Sequence, residues 1–225
     1  MLSSLKAKFT KNNIINSILT YLCQKSLSIF DIKLSFVLSI YHLVQLIHNF
    51  FNKMKTLYLH GLDSFLTDEK RVILEKYTHT LIAPLIDYRQ DPYTIQTLLE
   101  RYKDEKIELL IGSSMGGLTA YYLSWFWQIP CLAFNPALPY RSIIQELPAL
   151  PVTLNNEKNL RQKYLRVILG RHDEVINPFD TLPLLMSDMN ENEPLSIHLR
   201  NDLAHQIPFS IFDEELNYFF NKLGS

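Results

Sequence analysis

Ile107-Glu108-Leu109-Leu110-Ile111-Gly112-Ser113-Ser114-Met115-Gly116-Gly117 leads from a short apolar run into a helix-like segment, Leu118 to Gln128. G-x-S-x-G between a strand and a helix is the pattern of a nucleophile elbow, a tight strained turn that pushes one serine out of a sheet. The central serine is Ser114, not its neighbour Ser113. Gly112 and Gly116 flank it because a Cβ would clash where the strand folds back into the helix. Gly116, Gly117 and Ala120 are all small, so the helix can approach the sheet closely. The backbone N–H of Met115 would face an oxyanion formed on a carbonyl attacked by Ser114.

Outward from the elbow, apolar runs recur at Thr56–Leu59, Leu81–Pro84, Ile107–Ile111, Pro130–Phe134, Leu165–Leu169 and Leu195–Leu199. Segments with helical spacing separate them: Thr67–Lys76, Pro92–Lys103, Leu118–Gln128, Thr181–Met189 and Ser210–Lys222. Short strands alternating with helices imply crossover connections, hence a mainly parallel sheet of about six strands with helices on both faces. The last helix is expected to start at a Ser210 cap, with Asp213 three residues on. Its apolar residues Ile211, Leu216, Phe219, Phe220 and Leu223 gather on one side. The chain has six glycines, and five of them, Gly61, Gly112, Gly116, Gly117 and Gly170, fall at or just beyond strand ends. Ligands bind at the carboxyl ends of open parallel sheets.

A serine hydroxyl needs a base within hydrogen-bond reach, and the base needs an acid to fix its tautomer. Around such an elbow the partners follow in the order serine, acid, histidine, each in a loop after a strand. The loop Gly170-Arg171-His172-Asp173-Glu174-Val175 supplies Asp173, and Asn201-Asp202-Leu203-Ala204-His205 supplies His205. Glu174 competes as the acid, but an aspartate directly after Gly-x-x suits the loop better. His172 is expected to be solvated, His198 to be a sheet residue, and His79 to lie on the surface before the second strand. His60, beside Gly61 at the end of the first strand, reads as support for an oxyanion turn. That turn would present the N–H of Leu62 opposite Met115, and an ordinary strand-to-loop turn is the plainer alternative.

Leu57-Tyr58-Leu59-His60-Gly61, Ile111-Gly112-Ser113-Ser114-Met115-Gly116-Gly117, Phe134-Asn135-Pro136-Ala137 and Asp173-Glu174-Val175 resemble the YqiA/YcfP-type family of small bacterial α/β-hydrolase esterases. The likeness extends over 54–225 and does not include 1–53. It implies a reduced α/β-hydrolase fold, with six candidate strands against the usual eight. It further implies esterase or thioesterase activity without a cofactor, and a triad at Ser114, Asp173 and His205. Ala137 to Lys163, including Arg141, departs most from the family pattern, and substrate selection would lie there. Its Leu138, Tyr140, Ile143, Ile144, Leu147 and Leu150 would either cover an apolar acyl pocket or pack a helix on the body.

At 225 residues and 47% apolar, the chain suits one globular domain with a sizeable core. Its charge is uneven. Residues 1–53 carry six lysines against one acid, Asp31, whereas 54–225 carry 16 Lys/Arg against 22 Asp/Glu. The acidic body argues against a nucleic-acid partner. Cys23 and Cys131 are too sparse for a disulfide framework and point to free thiols in a reducing compartment, the cytoplasm. The run from Leu34 to Asn52 lacks charge and is just long enough to cross a bilayer, yet His42, Gln45, His48 and Asn49 interrupt it. It is the one stretch through which membrane contact could run, and an anchored protein is the alternative to a cytoplasmic one. Met54 is the expected native start, with 1–53 dispensable. No metal-ligand spacing or phosphate-binding loop is present, so no metal and no cofactor is expected. Two functional classes remain: a serine esterase or thioesterase acting on small acyl substrates, and a non-catalytic binding protein of the same fold.

Overall fold

A computed structural model of the chain describes residues 54–140, 163–188 and 194–224. Expectations for 1–53, the 34–52 run, Arg141, and Ile143, Ile144, Leu147 and Leu150 lie outside the described residues. Residues 54–225 form one compact unit. Among the described residues, six strands are present: β1 (Met54–Leu59), β2 (Thr78–Ile82), β3 (Leu109–Ser113), β4 (Cys131–Phe134), β5 (Leu165–Gly170) and β6 (Leu195–Arg200). They form one sheet in the order β2-β1-β3-β4-β5-β6. Every neighbouring pair is parallel.

The helices among the described residues are α1 (Asp68–Glu75), α2 (Thr94–Arg101), α3 (Met115–Trp127), α4 (Pro178–Asp188) and α5 (Phe209–Leu223). A short 3₁₀ turn, Leu138–Tyr140, follows β4. The alternation of side chains along a strand divides the core in two. Leu57, Leu59, Leu110, Ala133, Val167 and Leu169 face one layer with α2, α3 and α4. Tyr58, Leu109, Ile111, Leu132 and Ile168 face the other, with α1 and α5. Central strands buried on both faces explain the unbroken apolar runs of the sequence. The edge strands β2 and β6 are less buried.

The strand order reverses between β1 and β3, and the helices that follow these adjacent strands, α1 and α3, go to opposite faces. Their diverging connections leave a crevice at the carboxyl end of the sheet. Gly112 pairs with Leu59 on one side and Ala133 on the other, so the elbow opens at that crevice.

Several boundaries differ from the sequence reading. Helix α3 begins at Met115 rather than Leu118, because Ser114 is itself the residue preceding the first turn. Helix α4 begins at Pro178 rather than Thr181, since proline suits a first helical turn that has no use for its missing N–H. Strand β2 begins at Thr78, which places His79 within the strand, exposed and beside Glu108. The expected Ser210 cap is not formed. Pro208 precedes the first turn of α5 without a side-chain cap, and its carbonyl accepts from Phe212. Asp213 instead accepts from Lys76 and the Tyr77 hydroxyl, tying α5 to the end of α1.

Candidate active site

Ser114 sits between β3 and α3 with φ 55° and ψ −118°, a backbone conformation that costs a non-glycine residue of order 1–3 kcal/mol. Three backbone hydrogen bonds hold it there. Its N–H donates to Phe134 O, and its carbonyl accepts from Leu118 and Ala137. Such strain persists only where the surroundings over-determine it. The small residues provide those surroundings. A Cβ on Gly112 would lie 2.2 Å from Gly116 O, and one on Gly116 would lie 2.1 Å from Leu59 O. Strand and helix therefore meet backbone to backbone.

The turn after β1 lies against the same serine. A Cβ on Gly61 would come within 3.3 Å of Ser114 Cβ and 3.8 Å of its Oγ. Neighbouring Leu62 is half-buried. Met115 opens α3, so its N–H is one of the first-turn amides that have no acceptor within the helix. His60 is buried, and both ring nitrogens are engaged. Nδ1 lies 2.7 Å from Gly61 O, and Nε2 accepts from the N–H of Ile86 at 2.9 Å. A carbonyl on one side and an N–H on the other make this the Nδ1–H tautomer. The ring is thus spent on bracing the turn and is not available as a base. Tyr88 packs edge-on against it and donates its hydroxyl to His60 O at 2.9 Å. Burial raises the Tyr88 phenol well above its ordinary range, so it stays a donor. A cleft of about 330 Å³, lined by Ser64, Leu85, Ile86 and Tyr88 among others, opens beside this turn.

On the other side, Asp173 is buried and faces His205. Nδ1 of His205 lies 2.9 Å from Oδ2 and 3.1 Å from Oδ1. Oδ1 also accepts from the backbone N–H groups of Val175 and Ile176, at 2.8 and 2.7 Å. Glu174 and His172 are exposed beside it. His198 lies on β6 within the ion cluster of Arg166, Arg200 and Glu215. The structure therefore joins acid to imidazole directly. No hydrogen bond joins the Ser114 hydroxyl to His205 among the described residues. In ligand-free sites that contact is often long and tightens only with substrate.

Two participants went unassigned in the sequence. Tyr88 is one, because nothing local marks its tie to His60. Asn135 is the other, although it stands in one of the quoted motifs. A polar residue directly after the apolar strand β4 is the signal that could have found it. Among the described residues, no group of His, Cys, Asp and Glu is arranged to hold a metal. No described helix is long and apolar enough to cross a membrane.

Residues 55–150 match the model of an uncharacterised protein family, UPF0227. The match bears out the resemblance to the YqiA/YcfP-type family, and it takes in the His60 turn and the elbow while ending before Asp173. No curated protein matches the chain in sequence. Solved structures share its fold. A Xanthomonas campestris chain assigned to the α/β hydrolase superfamily aligns over 76% of this chain and 98% of its own, at 18% identity and a TM-score of 0.50. Est1E from Butyrivibrio proteoclasticus aligns over 76% and 88%, at 14% identity and 0.53. MGS-MChE2, an α/β hydrolase enzyme from the sediment metagenome of the Mar Chica lagoon, Morocco, aligns over 77% and 93%, at 13% identity and 0.52. The fold is that of the α/β hydrolases.

Proposed function

We propose that this UPF0227-like chain is a serine hydrolase that cleaves small acyl esters or acyl thioesters through an acyl-enzyme. Ser114 attacks the carbonyl carbon. His205 Nε2 takes the hydroxyl proton and returns it to the leaving alcohol or thiol; water then repeats the cycle on the acyl-enzyme. Asp173 holds Nδ1–H of the imidazole and stabilises the imidazolium that forms. The N–H groups of Leu62 and Met115 receive the tetrahedral oxyanion. The observation that carries this reading is the strained backbone of Ser114 at the crevice, together with the pairing of buried Asp173 with half-buried His205. A strained serine without chemistry to perform is a cost with no return. The reaction needs no metal, cofactor or nucleic acid, and the cytoplasm is the compartment proposed for it.

The rival is a non-catalytic binding protein of the same fold, and it draws on the missing bond between the Ser114 hydroxyl and His205. A fluorophosphonate probe separates the two, because only an activated serine labels quickly. Wild type is expected to label, and Ser114→Ala to lose labelling and about 10⁴–10⁶ of its turnover on p-nitrophenyl butyrate with its fold intact. An alanine variant as fast as wild type would refute the nucleophile assignment.

A further inference from the structure

His205 follows β6, which lies three strand positions from β3, the strand that ends at the elbow. At about 4.8 Å per strand, that is roughly 14 Å across the sheet. The loop after β6 turns back over β5 to shorten the gap. Where it crosses, a Cβ on Gly170 would sit 2.7 Å from both Leu203 O and Ala204 O, and His172 N–H donates to Leu203 O. The loop then reaches the end of β4, one strand position from β3. Asn135 meets it there.

Asn135 is buried and has φ 42°, a left-handed conformation that asparagine tolerates better than most residues. Its side-chain amide donates to Ala204 O at 2.9 Å and His205 O at 3.2 Å. Its Oδ1 accepts from Gly170 N–H at 2.7 Å. One side chain thus grips the base loop with its donors and, with its acceptor, the strand end that leads into Asp173. Aspartate has no donor for the two carbonyls, and leucine has neither function.

We infer that Asn135 is the positioning residue of the site, tethering the His205 carbonyl so that the imidazole is delivered to the Ser114 side of the sheet. The inference rests on the serine hydrolase reading, so its test needs one readout that does not depend on catalysis. Asn135→Asp keeps the left-handed backbone and the acceptor for Gly170 but turns a carboxylate oxygen toward Ala204 O and His205 O. A misplacement of about 1 Å can cost 10²-fold. The expected result is a drop of about 10²-fold in kcat and in fluorophosphonate labelling, with KM within about threefold of wild type. The downfield NMR resonance of the His205 Nδ1–H should be lost. Asn135→Gly, which keeps the backbone freedom without the side chain, should do the same.

Labelling at the wild-type rate in both variants would overturn the inference, as would a raised KM at unchanged kcat. Loss of the fold in both would make Asn135 a folding residue and overturn it too. If wild type itself fails to label while Asn135→Asp still loses the imidazole resonance, the hydrolase reading falls and the tether stands.

Discussion

Gly116→Ala puts the new methyl 2.1 Å from Leu59 O, 2.3 Å from His60 O and 2.4 Å from Leu59 C. Ordinary contact begins near 3.4 Å, so α3 or the end of β1 must retreat by more than 1 Å. The obstructing atoms are backbone, and no rotamer change relieves them. Overpacking typically costs 1–3 kcal/mol, and rigid neighbours push this case to about 3 kcal/mol or beyond. For a chain of this size each kcal/mol lowers Tm by about 2–4 °C, so the melting point should fall by about 6–12 °C. The same retreat separates the Met115 amide from the His60–Leu62 turn. Turnover should therefore fall by about 10²–10³, as when one oxyanion donor is lost. Gly117→Ala is the control. It lies in the same helical turn and gains the same helix propensity, yet its methyl would meet Phe134 O and Pro136 Cα at 3.1 Å, a misfit of a few tenths of an ångström. Its cost should stay near 1 kcal/mol. Thermal melts and p-nitrophenyl butyrate kinetics on the three proteins decide the matter. A Gly116→Ala protein that melts within about 2 °C of wild type and turns over normally would refute the close-contact argument.

Asp173→Asn tests the acid through its partners. The Val175 and Ile176 N–H groups would hold the amide oxygen at the Oδ1 position and leave the NH₂ facing His205 Nδ1. Nδ1 must then accept, the proton moves to Nε2, and the base is lost; kcat should fall about 10⁴-fold with little change in Tm. A tenfold loss or less would argue that Asp173 is not the orienting acid. Glu215, buried beneath β5 and β6, is a stability prediction. Burial pushes its carboxyl up, but Arg200 and Arg166 outweigh that and hold it below the ordinary 4.5. A carboxyl lowered on folding stabilises the protein above its unfolded pKa, and that stability is lost as pH falls from 4.5 through the folded value. Glu215→Gln should cost about 3–5 kcal/mol near neutrality by leaving two buried guanidinium groups underpaired, and the fall of its Tm as pH drops below 4.5 should be shallower than that of wild type. A variant with the wild-type acid profile would count against the linkage.

Strand identity was readable because each central strand is an apolar run bounded by polar or glycine residues, and burial on both faces demands that pattern. Boundaries were less readable. The first turns of α3 and α4 contain glycines and prolines that propensity assigns to loops, yet packing and first-turn geometry admit them. The Ser210 cap failed for a related reason: a plausible local signal lost to Pro208, which lies one residue before the first turn. Ser114 was legible because an elbow requires small residues within a short span of chain.

Local chemistry written in consecutive residues was determined by the sequence alone: the elbow, the alternation of strands and helices, and the acid and imidazole that follow successive strands. Tertiary structure decided which distant groups meet. That Asp173 rather than Glu174 faces His205, that Nε2 of His60 is taken by Ile86, and that Asn135 grips both the His205 loop and the end of β5 are contacts across 26 to 70 residues. Spacing along the chain carries no record of such contacts. They arise when a parallel sheet brings the carboxyl ends of all its strands to one edge.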